Sequence, residues 1–121
     1  MERTVTAHEA AVVGWLLDNA PVGDIAPYRR QPLEDLRVFE GCDCGCFSLD
    51  FQPHRQGWGG ARIIADGRTA YPDGQQADLI LWGCDGEIVL LEVIDWDPRA
   101  PHRFPEISNL RNFVGRGLEL P

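Results

Sequence analysis

The stretch Ala77-Asp78-Leu79-Ile80-Leu81-Trp82-Gly83-Cys84-Asp85-Gly86-Glu87-Ile88-Val89-Leu90-Leu91-Glu92-Val93-Ile94-Asp95 decides the fold. Two runs of strand-forming residues, Ala77 to Trp82 and Glu87 to Asp95, flank the turn residues Gly83-Cys84-Asp85-Gly86, so the segment reads as an antiparallel hairpin. Working outward, Ala61 to Ala65 and Arg68 to Tyr71 flank Asp66-Gly67, which predicts a second hairpin with an Asp-Gly turn, ended by Pro72-Asp73-Gly74. Further upstream Phe47, Leu49 and Phe51 alternate with Cys46, Ser48 and Asp50, the period of a half-buried strand. Arg37-Val38-Phe39-Glu40 reads as another strand.

The N-terminal third follows a helical period instead. Thr6 and Glu9 have the spacing of a capping box, and Val12, Val13, Leu16, Leu17 and Ala20 recur on one face before Pro21. A weaker helix is predicted from Asp24 to about Gln31, ahead of Pro32. Beyond Asp97-Pro98 the chain is rich in proline and arginine, with a short helix expected around Glu106 to Phe113. No repeat or long linker divides the 121 residues, so one domain over residues 1–121 is expected. The fold class is α+β: one or two N-terminal helices packed on an antiparallel β-meander of five or six strands.

Charge narrows the functions. The chain carries 11 basic and 19 acidic residues, a net charge of −8, and every basic residue is arginine. Without lysine there is no Schiff-base chemistry and no P-loop lysine for nucleotide phosphates. Residues 31–98 hold thirteen acids against four arginines, a balance of −9, flanked by a near-neutral start and a weakly basic end. Such a segment repels phosphate backbones, so general nucleic-acid binding is not expected unless the arginines converge in space; it suits a basic protein partner, and the same acidic balance also simply keeps a small protein soluble. The first residues lack a basic-then-apolar leader, and the most apolar run, Ile88 to Ile94, is short and contains Glu92. A cytoplasmic protein without membrane contact is the expectation.

Cysteine supplies the most specific motif. Cys42, Cys44 and Cys46 fall within Gly41-Cys42-Asp43-Cys44-Gly45-Cys46, and a cytoplasmic location makes them thiols, metal ligands or redox groups rather than a disulfide framework. Three thiolates in a short arc suit zinc or copper, with Cys84, His54 or His102 as the fourth ligand. Single-residue gaps depart from the C-x2-C pairs of structural zinc sites, and three small semi-buried thiols packing a tight turn account for the cluster without a metal. A thiol enzyme, for instance one pairing Cys46 with His54, is a lesser alternative.

The helix with Trp15-Leu16-Leu17, the segment Gly41 to Asp50, Ala65-Asp66-Gly67 and the hairpin ending Leu91-Glu92-Val93 together resemble a family of small uncharacterised bacterial proteins, a domain of unknown function. That family carries C-x-C-G-C, then proline, then serine or threonine, and later a leucine-glutamate strand. The likeness spans about residues 10 to 95 and falls on Cys42, Cys44, Gly45, Cys46, Ser48 and Glu92; Phe47 stands where the family has proline, and Cys84 is not among its motif positions. The resemblance implies the same fold and assigns no activity.

One enzyme-like pattern remains. Asp78 on one strand and Glu92 on the next imitate the metal-binding hairpin of PD-(D/E)xK nucleases, but Ile94 stands at the lysine position, and an alkyl group cannot activate water. A degenerate nuclease-like fold is the reading this leaves. Glu92, Asp95 and Asp97 are then candidates for contact with a basic partner or for holding a divalent cation through their oxygens, although charge that protects an edge strand explains them more simply. Trp58, within Gly57-Trp58-Gly59-Gly60, is a candidate anchor for such a partner, and His8 in the first turn of the helix is expected to be solvated. The leading expectation is a non-catalytic protein that works through protein contacts, of an immunity or regulatory type.

Overall fold

The computed structural model describes residues 2–20, 25–39, 48–52, 60–71, 74–95 and 104–111. Strand β1 (Glu2–Thr4) leads into helix α1 (Ala7–Asp18) and the one-turn helix α2 (Ala26–Arg29). A 3-10 turn at Leu33–Asp35 precedes β2 (Arg37–Phe39) and β3 (Leu49–Asp50). Three nine-residue strands follow, β4 (Arg62–Ala70), β5 (Gln76–Cys84) and β6 (Glu87–Asp95), and then a 3-10 turn at Ile107–Asn109 and strand β7 (Leu110–Arg111). All pairings are antiparallel, in the order β1-β2-β3-β6-β5-β4-β7. The α+β class is as expected. The sheet is one strand larger than the expected meander and leaves meander order at two joins, β3 with β6 and β4 with β7.

Helix α1 starts where its capping box places it. Thr6 Oγ1 accepts from the Glu9 amide at 3.1 Å and Glu9 Oε1 accepts from the Thr6 amide at 2.9 Å. The Arg3 guanidinium, on β1, donates to both Glu9 oxygens at 2.9 and 2.8 Å and so ties the first strand to the helix. Burial alone would raise the Glu9 pKa, but the bonds from Arg3 and Thr6 outweigh it and hold the carboxyl below its ordinary value. Val12, Val13, Leu16 and Leu17 of α1 are buried against Leu79, Leu81 and Leu91 of the sheet. Each such side chain contributes about 1.5–3 kcal/mol by leaving water.

Two glycines set how closely the layers approach. The expected turn at Asp66-Gly67 does not exist: both residues lie inside the continuous strand β4. Gly67 is on the face beneath α1, where an added Cβ would stand 3.0 Å from Leu16 Cδ2 and 3.3 Å from Trp15 Cζ3, so this glycine serves the helix crossing. The hairpin bend lies later, where the Tyr71 amide donates to the Gln75 carbonyl at 2.8 Å and the Gly74 amide to the Tyr71 carbonyl at 2.9 Å. At Gly83 a Cβ would meet the Tyr28 ring at 2.5 Å, which seats α2 on the end of β5. The β5–β6 turn itself is Asp85-Gly86, with φ of 53° and 86°, the positive pair that a two-residue type I′ connection requires.

Other expectations shift in detail. The second helix, expected over Asp24 to Gln31, is the single turn Ala26–Arg29, with Pro27 in that turn and Pro32 beyond its end; Asp24 lies outside the described residues. Of the short helix expected at most around Glu106 to Phe113, the described residues form a single 3-10 turn followed by β7, since Leu110 and Arg111 gain ladder partners in Thr69 and Arg68; residues 112 and 113 lie outside the described residues. His8 is not simply solvated: its Nε2 lies 2.7 Å from the Pro105 carbonyl oxygen and its ring meets Phe104 edge-on at 5.3 Å. Among the described residues no helix is long and apolar enough to cross a membrane.

Candidate protein-interaction face

Both helices lie on the sheet face that carries Leu79, Leu81 and Leu91. Register then dictates what the opposite face presents, because cross-strand partners point the same way. Phe39, Asp50, Leu90, Trp82 and Ile63 form one row running from β2 to β4. The next row, about 7 Å along the strands, is Glu92, Ile80 and Asp66. A third holds Ile94, Asp78, Arg68 and Arg111. Ile63 is 49% exposed and Ile94 43%, while Phe39, Ile80, Trp82 and Leu90 are half-buried.

Two polar links fix this face. Trp82 Nε1 donates to Glu92 Oε1 at 3.1 Å across neighbouring rows, and Arg68 Nε donates to Asp78 Oδ1 at 2.8 Å within one row. The nuclease-like pair is therefore present on one face, with each carboxylate already engaged, Asp78 by an arginine and Glu92 by an indole. Glu92 is not edge-strand charge, since β6 lies between β3 and β5 in the interior of the sheet. Ser48, which belongs to the family-like motif, serves the sheet: its Oγ accepts from the Val93 amide at 2.9 Å and extends the short β3–β6 ladder.

The other residues singled out from the sequence do not converge on this face. Asp95 ends β6 opposite Ala77. Cys84 ends β5, half-buried, with Sγ 3.8 Å from Asp85 Oδ2 and 3.7 Å from where a Cβ on Gly60 would stand. Cys42, Cys44, Cys46, His54, Trp58, Asp97 and His102 lie outside the described residues, as does most of the family-like motif. Among the described residues no three His, Cys, Asp or Glu side chains gather as a metal site would need. Sequence reading did not single out Ile63, Ile80, Trp82 and Ile94 as one surface. Their common face follows from the β4–β5 register, which the mistaken Asp66-Gly67 turn conceals.

Compared with protein-family models, with curated proteins and with solved structures, the chain matches none.

Proposed function

We propose that the chain is a small, non-catalytic cytoplasmic protein that acts through contacts with a basic protein, as immunity-type or regulatory proteins do. The observation that supports this best is the sheet face away from the helices, where Ile63 shares a row with Trp82, Leu90 and Phe39 and Ile94 stands two rows further on. Apolar side chains held in rows on strands gain free energy when a partner excludes water from them, and aromatic anchors dominate such contacts. Asp50, Asp66, Asp78 and Glu92 outnumber Arg68 and Arg111 on this face, and the net acidic balance biases the choice of partner toward cations.

The test is affinity capture from the host with the wild-type chain and an Ile63→Ser/Ile94→Ser variant, which removes the apolar groups without changing the charge of the face. Both positions are exposed, so the variant should keep nearly the wild-type stability, within about 0.5 kcal/mol. A basic protein retained by the wild type and lost with the variant supports the reading. Equal retention by both, an acidic partner, or no stable partner overturns it.

A further inference from the structure

Strand β6 lies in the interior of the sheet, a setting that disfavours glutamate, yet it carries Glu92 on the face away from the helices. Ile80 stands across from Glu92 on β5, and Leu90 and Ile94 flank it along β6. The other carboxylate of the nuclease-like pair, Asp78, is matched by Arg68 at 2.8 Å. Glu92 has no such cation. Among the described residues its one polar contact is the indole of Trp82, whose Nε1 donates to Oε1 at 3.1 Å, and Oε2 accepts nothing. Both side chains are half-buried, so each keeps a surface that solvent reaches.

An indole N–H needs only a neutral acceptor, which glutamine would supply without setting a negative charge among isoleucine and leucine side chains. The charge is more than the fold requires. It acts on Trp82 in two ways. The bond turns the Nε1 edge of the ring toward β6, and an anion at the N–H polarises the indole so that its face attracts a cation more strongly. A cation on that ring stands beside the carboxylate that orients it.

We infer that Trp82 and Glu92 together seat an arginine side chain of the partner protein, with the guanidinium plane on the indole and its N–H groups donating to Glu92 Oε2. Arginine suits this pair better than lysine, because a planar, weakly hydrated guanidinium stacks on an aromatic face and donates in its own plane at once. An ammonium is a strongly hydrated point charge and can do one or the other. Ile63 and Leu90, the cross-strand neighbours of Trp82, supply the apolar border that keeps water from the contact. The inference rests on the reading of this sheet face as a partner surface and names the group that the surface recognises.

The probe is a blocked Gly-Arg-Gly peptide titrated into the isotopically labelled full chain, followed at the Trp82 indole N–H resonance, which is assigned from its absence in Trp82→Phe. A saturable shift in the millimolar range is expected, with a weaker response to the lysine peptide and none to the citrulline peptide, the neutral analogue of arginine. Glu92→Gln keeps an acceptor for the indole and removes only the charge. It should leave the unfolding midpoint unchanged and weaken the arginine peptide about tenfold, whereas a glutamate that merely satisfies the indole would leave binding unchanged as well. No saturable shift, an equal response to the citrulline or lysine peptide, or undiminished binding by Glu92→Gln overturns the inference. Affinity capture separates its failure from that of the surface itself. A basic protein kept by Glu92→Gln but lost with Ile63→Ser/Ile94→Ser leaves the surface standing and overturns the arginine seat, and loss with both variants supports the seat.

Discussion

Gly67 and Leu16 meet where α1 crosses β4: a Cβ on Gly67 would stand 3.0 Å from Leu16 Cδ2 and 3.1 Å from the Arg111 carbonyl oxygen. Gly67→Ala is therefore expected to push the helix off the sheet at a cost of about 1–3 kcal/mol, the usual range for overpacking. For a chain of this size each kcal/mol lowers the melting temperature by roughly 3–6 °C. Leu16→Ala costs stability alone, yet should recover part of the loss when combined with Gly67→Ala. Simple additivity in that double-mutant cycle, measured by chemical denaturation, would contradict the contact.

Gly83 gives a sharper case, because the Tyr28 ring is 2.5 Å from the position of its absent Cβ. Gly83→Ala should cost more than Gly67→Ala, about 3 kcal/mol or more, since backbone and a packed ring must both move. Tyr28→Phe removes only the hydroxyl that accepts from the Gly86 amide at 3.4 Å, and should cost less than about 1 kcal/mol. Denaturation midpoints of the two variants in that order support the seating of α2 on β5. The reverse order would place the ring elsewhere.

Glu9 predicts an acid dependence. Its folded carboxyl titrates below the ordinary value of 4.5, because the Arg3 and Thr6 bonds outweigh its burial. A depressed folded pKa means that the contribution is complete above the unfolded value and is lost as pH falls through the folded one. Glu9→Gln keeps an acceptor for the Thr6 amide but loses the charged two-oxygen contact with Arg3, and should cost about 1 kcal/mol at neutral pH. Denaturation series against pH should show that gap closing on acidification below about 4.5, in line with linkage. A gap that widens toward acid would reverse the assignment.

Arg68 and Asp78 form the last test. Asp78 is 9% exposed and the Arg68 side chain is partly open to solvent, so Arg68→Ala leaves a shielded carboxylate without its cation. A loss of about 1–2 kcal/mol is expected, below the figure for a fully buried pair. Asp78→Asn in the Arg68→Ala background should restore part of it, because the stranded charge is gone. Equal stability of the single and double variants would show that Asp78 is adequately solvated.

What could be read from the sequence was local. The capping box of Thr6 and Glu9 and the hairpin around Asp85-Gly86 each depend on residues close together in the chain, and both formed where expected. The Asp66-Gly67 turn failed because the reason for Gly67 lies in Leu16, about fifty residues earlier. No strand period reveals a helix crossing. Strand β1 was missed for a related reason: three residues carry no period, and Glu2 to Thr4 become a strand only through their partners Arg37 to Phe39.

The strand order has a bearing on how the protein breathes. The ladders β4–β5 and β5–β6 each run through eight paired positions, whereas among the described residues β3 joins β6 through Leu49 and Asp50, reinforced by Ser48 and the Phe51 amide. That short seam is where β1, β2 and β3 can detach together as a cooperative unit while the long hairpins stay closed. Backbone deuterium uptake should therefore rise in step across Glu2–Thr4, Arg37–Phe39 and Leu49–Asp50, well before Leu79, Leu81 and Leu91 exchange.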